Sequence, residues 1–125
     1  MAAEKNFEDR VKKYLKEQGA WFVKYWGGGT YTKKGVPDIM ACLEGHFVGL
    51  EVKAPTGKAT DIQLHTLKKI DEAGGIALLL YPKDFQKFKQ MVEIMQEKGF
   101  TDAENIYEEL KERWVVEFAS ITQQG

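Results

Sequence analysis

Residues 35–53 read GVPDIMACLEGHFVGLEVK. Two apolar runs here flank Glu44-Gly45, a dipeptide suited to the tight turn of a β-hairpin. With the turn at that point antiparallel partners sum to 89, which sets Asp38 opposite Glu51, Met40 opposite Gly49 and Cys42 opposite Phe47. Lys53 shares the face of the two acids. Ile39, Ala41 and Leu43 share the other face with Val48, Leu50 and Val52, giving one wholly apolar side. An odd loop length would slip this register by one residue and part the acids. Carboxylates directly opposite each other repel unless a cation lies between them. A divalent metal with oxygen ligands is the natural cation for such a pair.

The rest of the chain is compatible with one domain around that hairpin. Its 125 residues, 43% hydrophobic and 12% aromatic, suit a single core and exclude a disordered polyampholyte. The start, MAAEKNFEDR, lacks the apolar segment of a signal peptide, and residues 76–81 form an apolar run far too short to cross a bilayer. A cytoplasmic protein is expected. One cysteine, Cys42, and two histidines, His46 and His65, exclude an internal disulfide and a cysteine-rich zinc site, so any metal must rest on carboxylates. Net charge is only −1, but residues 1–69 carry 12 Lys+Arg against 8 Asp+Glu, and residues 70–125 carry 6 against 11. The half holding the acids is therefore basic. That asymmetry suits the steering of a polyanion and equally suits an unevenly solvated surface.

Periodicity places the remaining elements. Asn6 reads as the N-cap of a helix over about 7–18, with Phe7, Val11, Tyr14 and Leu15 on its apolar stripe. Glu8 falls on the edge of that stripe, either as a favourable charge at the helix N-terminus or as a third acidic ligand. Residues 20–26 alternate as a strand with Trp21, Val23 and Tyr25 on one face. A Gly-rich loop follows, in which Lys24, Tyr31, Lys33 and Lys34 interleave with aromatics. This composition suits a phosphate backbone or splayed bases, and equally a plain connection. Thr60-x-x-Gln63 is a capping box opening a helix over about 61–73. Gln63 serves there as a cap, or it reaches the Glu51–Lys53 strand end. Residues 76–81 read as a central strand parallel to the second hairpin strand. Asp84 caps a further helix, another begins near Asp102, and 113–121 fits a strand or a helix.

Glu8, Gly35-Val36-Pro37-Asp38, Glu51-Val52-Lys53, Gly57-Lys58 and Gln63, in that order along αβββαβ, resemble the PD-(D/E)xK nuclease superfamily and, more narrowly, the VRR-NUC family of virus-type replication-repair nucleases. The likeness covers about residues 7–88. It implies an α/β, restriction-endonuclease-like fold: an αβββαβ core with a mixed central sheet flanked by helices, followed by a C-terminal helical extension over about 89–125. It also implies metal-dependent hydrolysis of DNA phosphodiesters, with a homodimer acting on branched DNA such as Holliday junctions inside a host cell. By this resemblance Asp38, Glu51, the Val52 carbonyl and Glu8 hold Mg²⁺ or Mn²⁺. Lys53 partners the attacking water, Gln63 positions water or backbone, and Lys58 joins Lys24, Tyr31, Lys33 and Lys34 in contacting DNA. The Met- and aromatic-rich C-terminal helices are expected to supply the dimer surface. The alternatives are a nuclease or nickase indifferent to branching, a non-catalytic nucleic-acid-binding module, and a structural protein whose acids are satisfied by its own lysines.

Overall fold

A computed structural model describes residues 2–27, 29 and 33–123. Among them the chain runs α1 (Ala2–Glu17), β1 (Trp21–Lys24), β2 (Ile39–Leu43), β3 (His46–Val52), α2 (Asp61–Glu72), β4 (Ile76–Leu80), a 3₁₀ turn (Pro82–Asp84), α3 (Phe85–Lys98) and α4 (Phe100–Thr122). The first six elements are the expected αβββαβ. The strands lie in the order β1-β2-β3-β4, the first two pairs antiparallel and the last parallel, which makes the sheet mixed. Among the described residues no helix is long and apolar enough to cross a membrane.

The hairpin register follows from its turn. Glu44 and Gly45 both adopt positive φ, 50° and 80°, as a two-residue turn that matches strand twist requires. Ile39 accordingly pairs with Leu50, Met40 with Gly49 and Cys42 with Phe47. Ile39, Ala41, Leu43, Val48, Leu50 and Val52 are all buried against α1 and α3, which contribute Phe7, Val11, Leu15, Phe88 and Val92. The capping box of α2 also forms. The Gln63 N–H donates to the Thr60 hydroxyl at 3.3 Å, and the Thr60 N–H donates to Gln63 Oε1 at 2.9 Å.

Several boundaries differ from the sequence reading. α1 begins at Ala2 rather than after Asn6, because Ala2, Ala3, Glu4 and Lys5 are all strong helix formers and extend the helix past the expected cap. Residues 113–121 belong to α4, not to a strand. Asp84 makes no side-chain cap to α3; its carboxylate accepts from the Tyr81 N–H and binds Arg113. β4 lies at the edge of the sheet rather than in its middle, yet every residue in it is buried.

α4 reconciles that edge position with burial. Ile76, Leu78 and Leu80 join the core on the α1–α3 side, and Ala77 and Leu79 join a second cluster with Leu64 and Leu67 of α2. α4 passes from one side to the other, giving Ala103, Tyr107 and Leu110 to the first cluster and Trp114 to the second. At the crossing it closes the exposed ladder of β4. The Ala77 N–H donates to the Tyr107 hydroxyl at 3.0 Å, and Trp114 Nε1–H donates to the Ala77 carbonyl at 2.7 Å. Side chains of the last helix therefore stand in for a fifth strand and remove an edge open to mispairing. The Met and aromatic residues of α3 and α4, expected to face a second copy, are spent inside: Phe85, Phe88, Met91, Met95, Tyr107 and Trp114 are buried.

Candidate functional site

The site lies where β2 begins and β3 ends. Asp38 immediately precedes β2, and its carbonyl accepts from the Tyr25 N–H at 2.8 Å. The ladder pairs Ile39 with Leu50, and just before it the Val52 N–H donates to Asp38 Oδ2 at 2.9 Å, which brings the Asp38 carboxylate to the Glu51–Val52 end of β3. Gly35 sets the approach to this residue. It has φ +80°, and a Cβ there would lie 2.8 Å from Ile62 Cγ1 and 2.9 Å from the Thr66 hydroxyl. Only glycine lets the loop close against α2 in that conformation.

Glu51 is 1% exposed. Its Oε1 accepts from Gln63 Nε2 at 3.0 Å and lies 3.9 Å from Lys53 Nζ, whereas Oε2 is buried without a hydrogen-bond partner among the described residues. Burial, and then the charge of Asp38, push the Glu51 carboxyl up to about 9. Both readings of Gln63 hold at once, since its oxygen completes the capping box and its amide nitrogen holds Glu51. Lys53 is mostly buried, with its N–H tied to the Leu80 carbonyl of β4 at 2.9 Å.

Glu8 is placed beside these groups but is already engaged. Lys24 Nζ donates to Glu8 Oε1 at 2.7 Å and sits 3.8 Å from Asp38 Oδ1; Lys12 Nζ lies 3.5 Å from Glu8 Oε2. Burial works to lower the Lys24 pKa, but the bond to Glu8 and the charges of Asp38, Glu8 and Glu51 outweigh it and raise it. Lys24, read from sequence as a DNA contact, is thus folded into the acidic centre. Among the described residues no three acidic, histidine or cysteine side chains converge as a ready-made metal cage, so Asp38 and Glu51 stand as the pair, with Glu8 held by ammonium groups.

That pair still fits a divalent cation. A buried carboxylate with one oxygen unpartnered, close enough to a second carboxylate to feel its charge, carries a desolvation cost and a repulsion, and one hard cation relieves both. Two carboxylates with a nearby carbonyl are also a sufficient protein contribution for Mg²⁺, which retains most of its waters.

The remaining basic residues scatter. Lys33 and Lys34 are exposed and border a cavity of about 580 Å³ whose apolar wall includes Phe47, Ile62 and Ile70. Lys58 is exposed on the turn after Lys53, and Tyr31 lies outside the described residues. The sequence reading missed the roles of Lys24 and Lys12. A signal existed for Lys12, which sits four residues from Glu8 on one helix. For Lys24 the alternation of β1 was the clue, because it turns Phe22 and Lys24 inward and leaves Trp21 and Val23 exposed.

No curated protein and no solved structure matches the chain significantly. The family model described as archaeal Holliday junction resolvase (Hjc) matches residues 2–91, the segment holding Glu8, Lys24, Asp38, Glu51, Lys53 and Gln63. The match is to that family rather than to VRR-NUC, so the sequence resemblance holds at the level of PD-(D/E)xK-like nucleases. With its mixed sheet, its facing acids and most of its length covered, the chain belongs to the archaeal Holliday junction resolvase (Hjc) family of nucleases.

Proposed function

We propose that this nuclease is a divalent-metal-dependent endonuclease that cuts branched DNA, four-way junctions above all, as a homodimer. The observation that carries the metal dependence is the buried Glu51 carboxylate, whose Oε2 has no hydrogen-bond partner among the described residues and whose ionised form is further disfavoured by the charge of Asp38. Asp38, Glu51 and the Val52 carbonyl would hold Mg²⁺ or Mn²⁺, which when bound neutralises phosphate oxygens and acidifies water. Gln63 fixes Glu51 through Oε1, leaving Oε2 for the ion. Lys53, beside Glu51, orients the attacking water and offsets charge developing on the phosphorus oxygens. Lys24 and Lys12 neutralise Glu8 and hold α1 against the strand ends.

Branch selectivity rests on the family match, and the twofold arrangement on the symmetry of a junction with two strands to cut. The surface that suits a second copy is the open sheet face. Trp21, Val23 and Phe47 are exposed there, and Ile62 of α2 is exposed beside the same cavity as Phe47; contiguous apolar exposure of this kind marks interaction surfaces.

The test is a panel of labelled duplex, flap, splayed and four-way DNA incubated with Mg²⁺, Mn²⁺ or chelator. Metal-dependent cutting of the four-way substrate is expected, abolished by Asp38→Ala, Glu51→Ala or Lys53→Ala. Equal cutting of every substrate would replace this reading with an unselective nuclease or nickase. Undiminished cutting by all three variants would remove the site assignment.

A further inference from the structure

A second recess, of about 410 Å³, opens beside the turn that follows Lys53. One wall is the turn itself, where a Cβ on Gly57 would sit 3.4 Å from Lys53 Cβ; the recess is thus one turn away from the catalytic lysine. The turn is held in place by the Tyr81 hydroxyl, which donates to the Gly57 carbonyl at 2.9 Å. Lys58 and Lys83 rim the recess and are both exposed. The opposite wall is Arg113 of α4, with Glu117 one helical turn further along.

Arg113 is built for the position. Asp84 takes its Nε at 3.1 Å and its Nη2 at 2.7 Å, and the guanidinium carbon lies 5.9 Å from the centroid of the Tyr81 ring. A carboxylate gripping one edge of the guanidinium and an aromatic face beneath it fix the plane of the group. The Nη1 end is not used by that pair. Glu117 and Asp84 temper the local charge without cancelling three cations around one concavity. Arg113 also lies outside the residues matched by the family model, 2–91, so this wall is an addition made by the C-terminal helix.

We infer that this recess is a second DNA-backbone site, in which Lys58, Lys83 and Arg113 hold a phosphodiester flanking the one that is cut. The inference rests on the DNA-nuclease reading, and its test separates the two. Binding to a labelled four-way junction is measured by fluorescence anisotropy in EDTA, where nothing is cut, across a series of salt concentrations. Lys83→Ala removes one phosphate contact. It is expected to reduce the slope of log K against log salt by about 0.9 and to weaken binding about fivefold at 0.15 M salt. Lys83→Glu and Lys58→Ala weaken it further and similarly, whereas Lys98→Glu, the same charge change at the far end of α3, leaves it within twofold. Arg113→Lys keeps the charge but loses the fork, and is read only alongside its melting temperature. Failure of the wild-type protein to bind any DNA overturns the nuclease reading itself. Wild-type binding that Lys83→Ala and Lys58→Ala leave intact, or that Lys98→Glu weakens equally, overturns the recess alone.

Discussion

Replacing Glu51 by glutamine is expected to make the metal-free protein more stable while abolishing its chemistry. Glu51 is buried, one of its oxygens has no hydrogen-bond partner among the described residues, and its carboxyl is pushed from the ordinary 4.5 up to about 9, first by burial and then by Asp38. Folding therefore takes up a proton between those two values. Stability from this group is complete below pH 4.5 and is lost as the pH rises towards 9, at up to about 1.4 kcal/mol per pH unit. Across the three units to pH 7.5 the loss is about 4 kcal/mol for an isolated group. Relaxation and water penetration around a buried carboxylate bring it to the order of 2 kcal/mol. Glutamine keeps the acceptor for Gln63 and replaces the orphaned oxygen by an uncharged N–H donor. In EDTA at pH 7.5 the variant should melt roughly 8 °C above the wild type. The gap should close near pH 5 and widen at pH 8.5. Adding Mn²⁺ should raise the wild type and leave the variant unmoved, because only the wild type gains binding free energy. A wild-type melting temperature flat from pH 5 to 8.5, with a variant no more stable at any pH, would refute the argument that the slot is electrostatically frustrated without a cation.

Three further substitutions probe other parts of the construction. Lys24→Met removes an ammonium 2.7 Å from Glu8 and 3.8 Å from Asp38, a rival for any metal; Mn²⁺ affinity by titration calorimetry should tighten about tenfold, or 1.4 kcal/mol, and weaker binding would mean that Lys24 supports the site instead. Tyr107→Phe strips the partner from the Ala77 N–H and one of the donors from Asp71, which keeps Lys111, so urea denaturation should show a loss of about 1–3 kcal/mol; no loss would show that α4 does not seal the sheet edge. Gly35→Ala forces a Cβ to within 2.8 Å of Ile62 at positive φ and should cost about 1–3 kcal/mol, with cleavage reduced through displacement of Asp38. Full activity and stability in that variant would show that the loop approaches α2 less closely.

What could be read from the sequence was what is decided over short distances along the chain. The two-residue Glu44-Gly45 turn fixes the hairpin register within a few residues, so the approach of Asp38 to the Glu51–Val52 end of β3 followed without tertiary knowledge. The Thr60–Gln63 capping box was equally local. α4 was obscured for a physical reason. Its apolar stripe serves one cluster through Ala103, Tyr107 and Leu110, and another through Trp114 with the half-buried Val115, Phe118 and Ile121, and a stripe that changes sides blurs the 3.6-residue period. Trp114, Val116 and Phe118 then mimic a strand, although Val116 is exposed. The contact of Lys24 with Glu8 was not legible because the two lie 16 residues apart, and nothing local marks a lysine that is drawn inward.

The same distinction explains how the acidic centre tolerates its own charge. Glu8, on α1, has two ammonium groups close by and is satisfied before any ion arrives. Among the described residues Glu51, on the buried strand, has only Lys53 at 3.9 Å and one amide bond. Unpaired buried charge is costly, and evenly shared lysines would have removed that cost from both acids. Placing the cations around Glu8 and withholding them from Glu51 Oε2 concentrates the unmet demand at one carboxylate, beside Asp38 and Lys53. A fold arranged only for stability would pair Glu51 or replace it with an apolar residue. The arrangement makes sense when the missing charge is brought from solution and the phosphodiester to be cut is held against it.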